Sequence, residues 1–268
     1  MADVTIHPTA IVHPKAVLGA GVTIGPYSVI GPDVALGDGV RLISHAVVDG
    51  RTTIGAGTVV FPFASLGQIP QDLKYKGEPS TLEIGARSRI REYVTMNPGT
   101  EGGGMVTRIG DDGLFMASSH VGHDCILGNQ VIMANNALLG GHVHLGDFSF
   151  VGGNSAVHQF CRVGDYAWIG GMTGVERDII PFGMATGDRA RLTGLNLVGL
   201  ERRGFSRDDI QVLRNAYRVL FGPDGTFAER LDEVEKTFGQ SAHVRQVIEF
   251  VRAKSSRGLC QPAAQNGQ

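Results

Sequence analysis

The sequence lacks the features that would commit it to a membrane, a nucleic acid or an oxidising compartment. Its 268 residues hold no apolar run approaching the ~18 residues of a spanning helix. The start, Met1-Ala2-Asp3-Val4-Thr5-Ile6-His7-Pro8, has no basic segment leading into an apolar stretch, so no secretory signal is expected. Lys+Arg 24 against Asp+Glu 26 leaves a formal charge of −2, with no basic excess for nucleic acid. The three cysteines, Cys125, Cys161 and Cys260, are an odd and scattered set with no CxxC pair, which predicts a reducing, cytoplasmic setting. No Gly-Lys-Ser/Thr follows Gly102-Gly103-Gly104, so that run is read as a flexible loop, not a phosphate-binding loop.

Glycine is what the chain has in excess: 39 residues, about twice the usual ~7% share. With 42% apolar residues the chain can still bury a core, which excludes disorder. No strict Gly-X-Y period is present, which excludes collagen. Every sixth residue from Ile6 to Leu66 is aliphatic, eleven in all, and every sixth from Ile109 to Val175 is apolar, twelve in all. Small residues stand four places on, as at Ala10, Ala16, Ser28, Ser119, Cys125 and Ala137. A helix would need period 3.6 and a half-buried strand period 2. Period six means short strands joined by tight corners, three hexads closing each coil as three walls, and coils stacked as a parallel β-solenoid.

Two segments break the period. One, about 67–83, contains Gln71-Asp72-Leu73-Lys74-Tyr75-Lys76 and is too charged to line a core. The other, about 98–108, shifts the register, because Ile109 stands one position out of step with the hexads that lead to Met96. Loops leaving a rigid solenoid usually carry function. The hexads stop near 186, so the chain divides into a solenoid of residues 1–186 and a small helical domain of 187–268. Phe205-Ser206-Arg207-Asp208-Asp209-Ile210 reads as a capped helix start, with Leu213, Tyr217, Leu220 and Phe221 as its apolar stripe. The polar end from about Ser255 is expected to fray.

Positions three hexads apart lie one coil above another, about 4.8 Å away. His123, Gly141 and Gln159 therefore form one column, Asp124 and His142 the next, and Gly122, Gly140 and His158 the one before. A histidine beside a carboxylate suits a general base, and a neighbouring glycine leaves a backbone N–H uncovered for an oxyanion. The competing readings are a polar coat on a scaffold and a zinc set, His120-x-x-His123-Asp124-Cys125. Three-residue spacing gathers ligands on a helix, not on an extended wall, and Cys125 falls at an inward position. Arg202-Arg203 reads as a helix end or as a clamp for a diphosphate.

The hexads over 6–186 resemble those of the left-handed β-helix acyltransferases, and the handedness comes from that resemblance. Val121-Gly122-His123-Asp124-Cys125, Asn135-Asn136-Ala137, Ala156-Val157-His158-Gln159-Phe160, Gln71-Asp72-Leu73-Lys74-Tyr75 and Arg202-Arg203-Gly204-Phe205-Ser206 are together similar to the acyl-[acyl-carrier-protein]–UDP-N-acetylglucosamine O-acyltransferases. That resemblance implies a cytoplasmic homotrimer, outside the membrane, that opens lipid A biosynthesis. It implies an acyl donor carried on the phosphopantetheine of acyl carrier protein, UDP-N-acetylglucosamine as acceptor, and no metal, cofactor or covalent acyl-enzyme. By it, His123 is the base, Asp124 orients it, and Gly141 N–H holds the oxyanion. Gln71, Asp72, Lys74, His120, His142, His158 and Gln159 bind substrate. Asn196, Arg202 and Arg203 handle the nucleotide and phosphates, and Gly171 sets a long acyl chain.

Two positions depart from the family pattern: Val198 where members carry glutamate, and Asn97-Pro98 where some carry a basic pair. Both touch the nucleotide-sugar side, which leaves a 3-amino sugar as an alternative acceptor. The later N-acyltransferase of the same pathway carries an N-terminal uridine-binding domain, for which the hexads beginning at Ile6 leave no room.

Overall fold

A computed structural model describes residues 3–263. Short strands, most of two residues with one inward and one outward, run along three walls of eleven, nine and eight strands. The pairing is parallel throughout the prism, and the register advances by one coil at each step: Val121 pairs with Leu139, Leu139 with Val157, and Val157 with Val175. The coil is left-handed and ends in a helical domain. The inward residues, among them Ile30, Leu66, Ile90, Phe115 and Met133, are fully buried and form one continuous core along the axis.

At most corners one residue lies in the left-handed region. Asp124 (φ 59°), His142 (φ 62°) and Phe160 (φ 67°) occupy that place on three successive coils. The conformation costs a non-glycine residue about 1–2 kcal/mol. The wall offsets that cost by pairing the corner amides with the preceding coil, as His142 N–H does with His123 O at 2.9 Å.

The interruptions are insertions into single coils. Leu66 pairs with Met96 and Met96 with Val121, so in both places the chain leaves the wall and returns to it exactly one coil higher after a longer path. Both excursions are shorter than the sequence suggested, because Thr81–Ile84 and Val106–Ile109 are four-residue strands. Leu82 and Thr107 point inward beside Ile84 and Ile109. A reading of every sixth residue misses that local period of two.

Beyond the prism, Gly183–Thr186 extends the eleven-stranded wall and turns antiparallel into Arg191–Leu195. The helices begin only at Leu197: α1 Leu197–Arg202, α2 Arg207–Leu220, α3 Phe227–Phe238 and α4 Ala242–Arg252. Ser206 Oγ accepts from Asp209 N–H at 3.0 Å, and Thr226 with Glu229 closes a full capping box on α3. Among the described residues no helix is long and apolar enough to cross a membrane. Of the end expected to fray, residues 256–263 are held in place, while 264–268 lie outside the described residues. Leu259 bridges Asp178, Pro262 bridges Leu192, and Cys260 is buried, because these edges offer backbone groups that would otherwise lack partners.

Arg162, ion-paired to Asp178 within the prism, reaches across to the bundle. The buried Asp178 carboxylate accepts from Arg162 N–H (2.8 Å) and Arg162 Nε–H (2.7 Å). Arg162 also donates to Phe250 O at 3.2 Å and lies 4.4 Å over the Phe250 ring on α4. Removing one partner of a buried pair strands the other charge, so Arg162→Ala should cost about 3–5 kcal/mol. Urea unfolding at fixed protein concentration checks this, and a loss below about 1 kcal/mol, the range of an exposed pair, would show that the joint contributes nothing.

Candidate active site

Three corners of the nine-stranded wall stack after the strands His120–Val121, Leu138–Leu139 and Ala156–Val157. Burial of Val121, Leu139 and Val157 fixes each strand, and so fixes the corner residues that follow. His123 Nδ1 lies 2.7 Å from Asp124 Oδ2, and the Asp124 side chain is fully enclosed. The carboxylate only accepts, so Nδ1 keeps its proton and donates it to Oδ2 as a hydrogen bond, leaving Nε2 as the basic nitrogen. Thr100 of the second excursion donates to both carboxylate oxygens, N–H to Oδ1 at 2.7 Å and Oγ–H to Oδ2 at 2.6 Å. Asp124 N–H donates to Thr107 Oγ1 at 2.8 Å.

Gly141 sits one coil above His123, and a Cβ there would stand 2.6 Å from His123 Nε2, so only glycine fits. Its amide is also unclaimed. At the equivalent place on another corner, Asp147 N–H donates to Asp165 Oδ1 of the next coil at 2.8 Å. Above Gly141 stands Gln159, and among the described residues nothing accepts the Gly141 N–H. An amide beside a base and without a partner is an available oxyanion donor.

His142 meets His123 edge-on, with ring centres 5.0 Å apart, and stacks on Phe160 at 4.3 Å. Burial lowers its proton affinity, against the pull of Asp124, whose Oδ2 is 3.8 Å away. His120 points outward from its strand, 2.7 Å from Thr95 Oγ1, and burial with the neighbouring His123 lowers its proton affinity too. Both rings are therefore neutral near pH 7. Gln71, His120, His123, Gly141, His158 and Gln159 line a groove of about 740 Å³. Asp72, Lys74 and His142 line another of about 490 Å³, with Lys76, Thr100 and Phe160. Eight of the residues singled out from sequence thus surround the His123–Asp124 pair.

The others lie elsewhere on the chain. Asn196 caps α1: its Oδ1 accepts from Gly199 N–H at 3.1 Å and its Nδ2 donates to Tyr166 O at 2.9 Å. Arg203 Nη1 donates to Gln130 Oε1 at 3.0 Å, and its guanidinium lies 4.3 Å over Phe148; Arg202 is exposed in the last turn of α1. Gly171 is exposed, and a Cβ there would meet only Gly153, with O at 3.3 Å, which leaves a slot along that corner. The sequence-derived zinc set does not assemble. Cys125 faces the core with its thiol pushed up to about 12 by burial, and His120 turns to Thr95. His123, Asp124 and His142 do hold ligand atoms within 4.8 Å of one another, but the Asp124 oxygens and His123 Nδ1 are already committed to hydrogen bonds.

Sequence reasoning missed Thr100, Thr107 and Arg257, whose Nε–H donates to Gln159 O at 2.7 Å. None of them shares a column with the site, so the spacing gives no signal for them.

A profile described as UDP N-acetylglucosamine O-acyltransferase, domain 2, matches residues 178–260. An acyl-[acyl-carrier-protein]–UDP-N-acetylglucosamine O-acyltransferase of Caulobacter vibrioides is 53% identical over 97% of this chain and 98% of its own. The protein of the same name from Paracoccus denitrificans is 57% identical over 76% of this chain and 77% of its own. Among solved structures, UDP-N-acetylglucosamine acyltransferase from Campylobacter jejuni superposes with a TM-score of 0.91 at 40% identity, covering 96% of this chain and 99% of that one. The Francisella novicida enzyme gives 0.94 at 32% identity, covering 97% and 95%. With the His123–Asp124 corner, the unclaimed Gly141 amide and this likeness along nearly its whole length, the chain belongs to the acyl-[acyl-carrier-protein]–UDP-N-acetylglucosamine O-acyltransferase family.

Proposed function

We propose that the chain transfers a 3-hydroxyacyl group from the phosphopantetheine thioester of acyl carrier protein to the 3-hydroxyl of UDP-N-acetylglucosamine, the first step of lipid A biosynthesis. The observation that carries this reading is the His123–Asp124 pair, 2.7 Å apart, beside an amide with no other partner. His123 Nε2 takes the proton of the sugar hydroxyl as its oxygen attacks the thioester carbon. The carbonyl oxygen becomes negative against Gly141 N–H, and the C–S bond then breaks. The thiolate leaves with the proton held on His123, giving an ester and a free thiol, and no cofactor takes part. Asp124 stabilises the imidazolium that forms between the two steps.

The working unit in this reading is a cytoplasmic homotrimer. Within one chain Asn196, Arg202 and Arg203 stand at the Phe148–Tyr166 corner, away from the His123 column, and a neighbouring copy supplies such residues across a cleft. Leu73, at the tip of the first excursion, is fully exposed between Asp72 and Lys74, as a side chain awaiting a neighbour would be. Asp72 and His142 position the sugar, Arg202 and Arg203 its phosphates, and the Gly153–Gly171 slot the acyl chain.

His123→Ala should lower kcat by about 10²–10⁴-fold with the oligomer intact. Steady-state rates and size-exclusion chromatography check this, and a variant keeping a tenth of the wild-type rate removes the base from the mechanism.

Gly171→Met should fill the open slot and shift preference from 3-hydroxymyristoyl toward shorter donors, because overpacking a fitted cavity costs about 1–3 kcal/mol. Competition between donors of mixed length reads this directly. An active variant with unchanged preference would place the ruler elsewhere.

A further inference from the structure

We propose that Thr100 is a positioning residue for the catalytic pair, and that the second excursion is a clamp that holds it on Asp124; this rests on His123 being the base. The glycine-rich run reads from sequence as a flexible loop, but its packing is close. Thr100 is 5% exposed. Its carbonyl accepts from Gly103 N–H (3.1 Å) and Met105 N–H (3.0 Å), closing the 3₁₀ turn Glu101–Gly103 on itself. A Cβ at Gly103 would overlap the Asp124 carboxylate and one at Gly99 would overlap the Val106 backbone, so the loop lies on the carboxylate through its main chain. Glu78 of the first excursion accepts from Glu101 N–H at 3.2 Å and ties the two insertions together.

A carboxylate attached through one Cβ can rotate about its Cβ–Cγ bond and offer His123 either oxygen in a range of planes. Two donors from one residue, one to each oxygen, remove that freedom. In that fixed plane Oδ2, which also carries the Thr100 hydroxyl, faces His123 and accepts Nδ1–H, which fixes the tautomer with Nε2 bare toward the groove. The other ionisable groups near the pair include His120, His142, Asp72 and the buried Cys125, and none donates to Asp124 within hydrogen-bond distance. Thr100 therefore does for Asp124 what Asp124 does for His123.

Thr100→Val keeps the shape and deletes only the hydroxyl, while Thr100→Ser keeps the hydroxyl. Loss of an outer hydrogen-bond partner costs about 10–100-fold in activity at metal sites, and we expect a kcat loss of that order for Thr100→Val. KM for both substrates should be unchanged, and Thr100→Ser should be near wild type. Histidine ring ¹⁵N shifts, which need no turnover, should report protonated Nδ1 at His123 in wild type and Thr100→Ser, and mixed tautomers in Thr100→Val. Wild-type kcat and tautomer in Thr100→Val would overturn the proposal. So would equal losses in Val and Ser variants that follow a falling Tm with the tautomer intact. His123→Ala, assayed alongside, separates the two ideas: activity there sinks the base assignment, whereas the tautomer readout still judges Thr100.

Discussion

The register between coils governs this molecule. Each two-residue strand hydrogen-bonds to the strands one coil before and one coil after it, and a slip of one residue would turn every inward Val, Ile or Leu to solvent. Since Val121, Leu139 and Val157 are held in the core, the corners that follow them are held as well. The positions of His123, Gly141 and Gln159 thus follow from apolar burial close by in the chain. A side chain that must stay within a fraction of an ångström of its productive place gains most from such a frame.

A perfect repeat has no means of building a polar site, because every coil would be alike. The chemistry arises where the repeat is broken. Gln159 stands above Gly141 in place of the carboxylate that claims the equivalent amide above Asp147, so one N–H is left free. The insertion between Met96 and Val121 brings Thr100 over Asp124, and the one between Leu66 and Met96 brings Asp72 and Lys74 beside His142. Rigid walls place His123, and the excursions shape what it meets.

How much of this can be read from sequence follows from the same division. The hexads, the corners and the columns are written in a fixed period, so the prism and the stacking of His123 under Gly141 are legible residue by residue. The cap at Ser206 is legible because it is local. Thr100 is not, because insertions leave the period and their contacts depend on how the loop folds back. The ordered end at Leu259–Pro262 hides for a similar reason: its partners, Asp178 and Leu192, are distant in sequence and offer backbone, not a pattern. Asn196 carries two meanings, and only the folded chain reveals that its side chain is spent on capping α1 and on Tyr166 O.

The central claim is that the His123 corner acylates a sugar hydroxyl, although Val198 and Asn97-Pro98 depart from the family pattern on that side. Mass spectrometry of products from 3-hydroxymyristoyl-acyl carrier protein, offered with equal UDP-N-acetylglucosamine and its 3-amino analogue, tests this most directly. The account predicts a monoacylated UDP-N-acetylglucosamine whose acyl group is released by mild alkali, as an ester is. A product formed only on the amino sugar and stable to alkali, or no acylated nucleotide sugar at all, would contradict it.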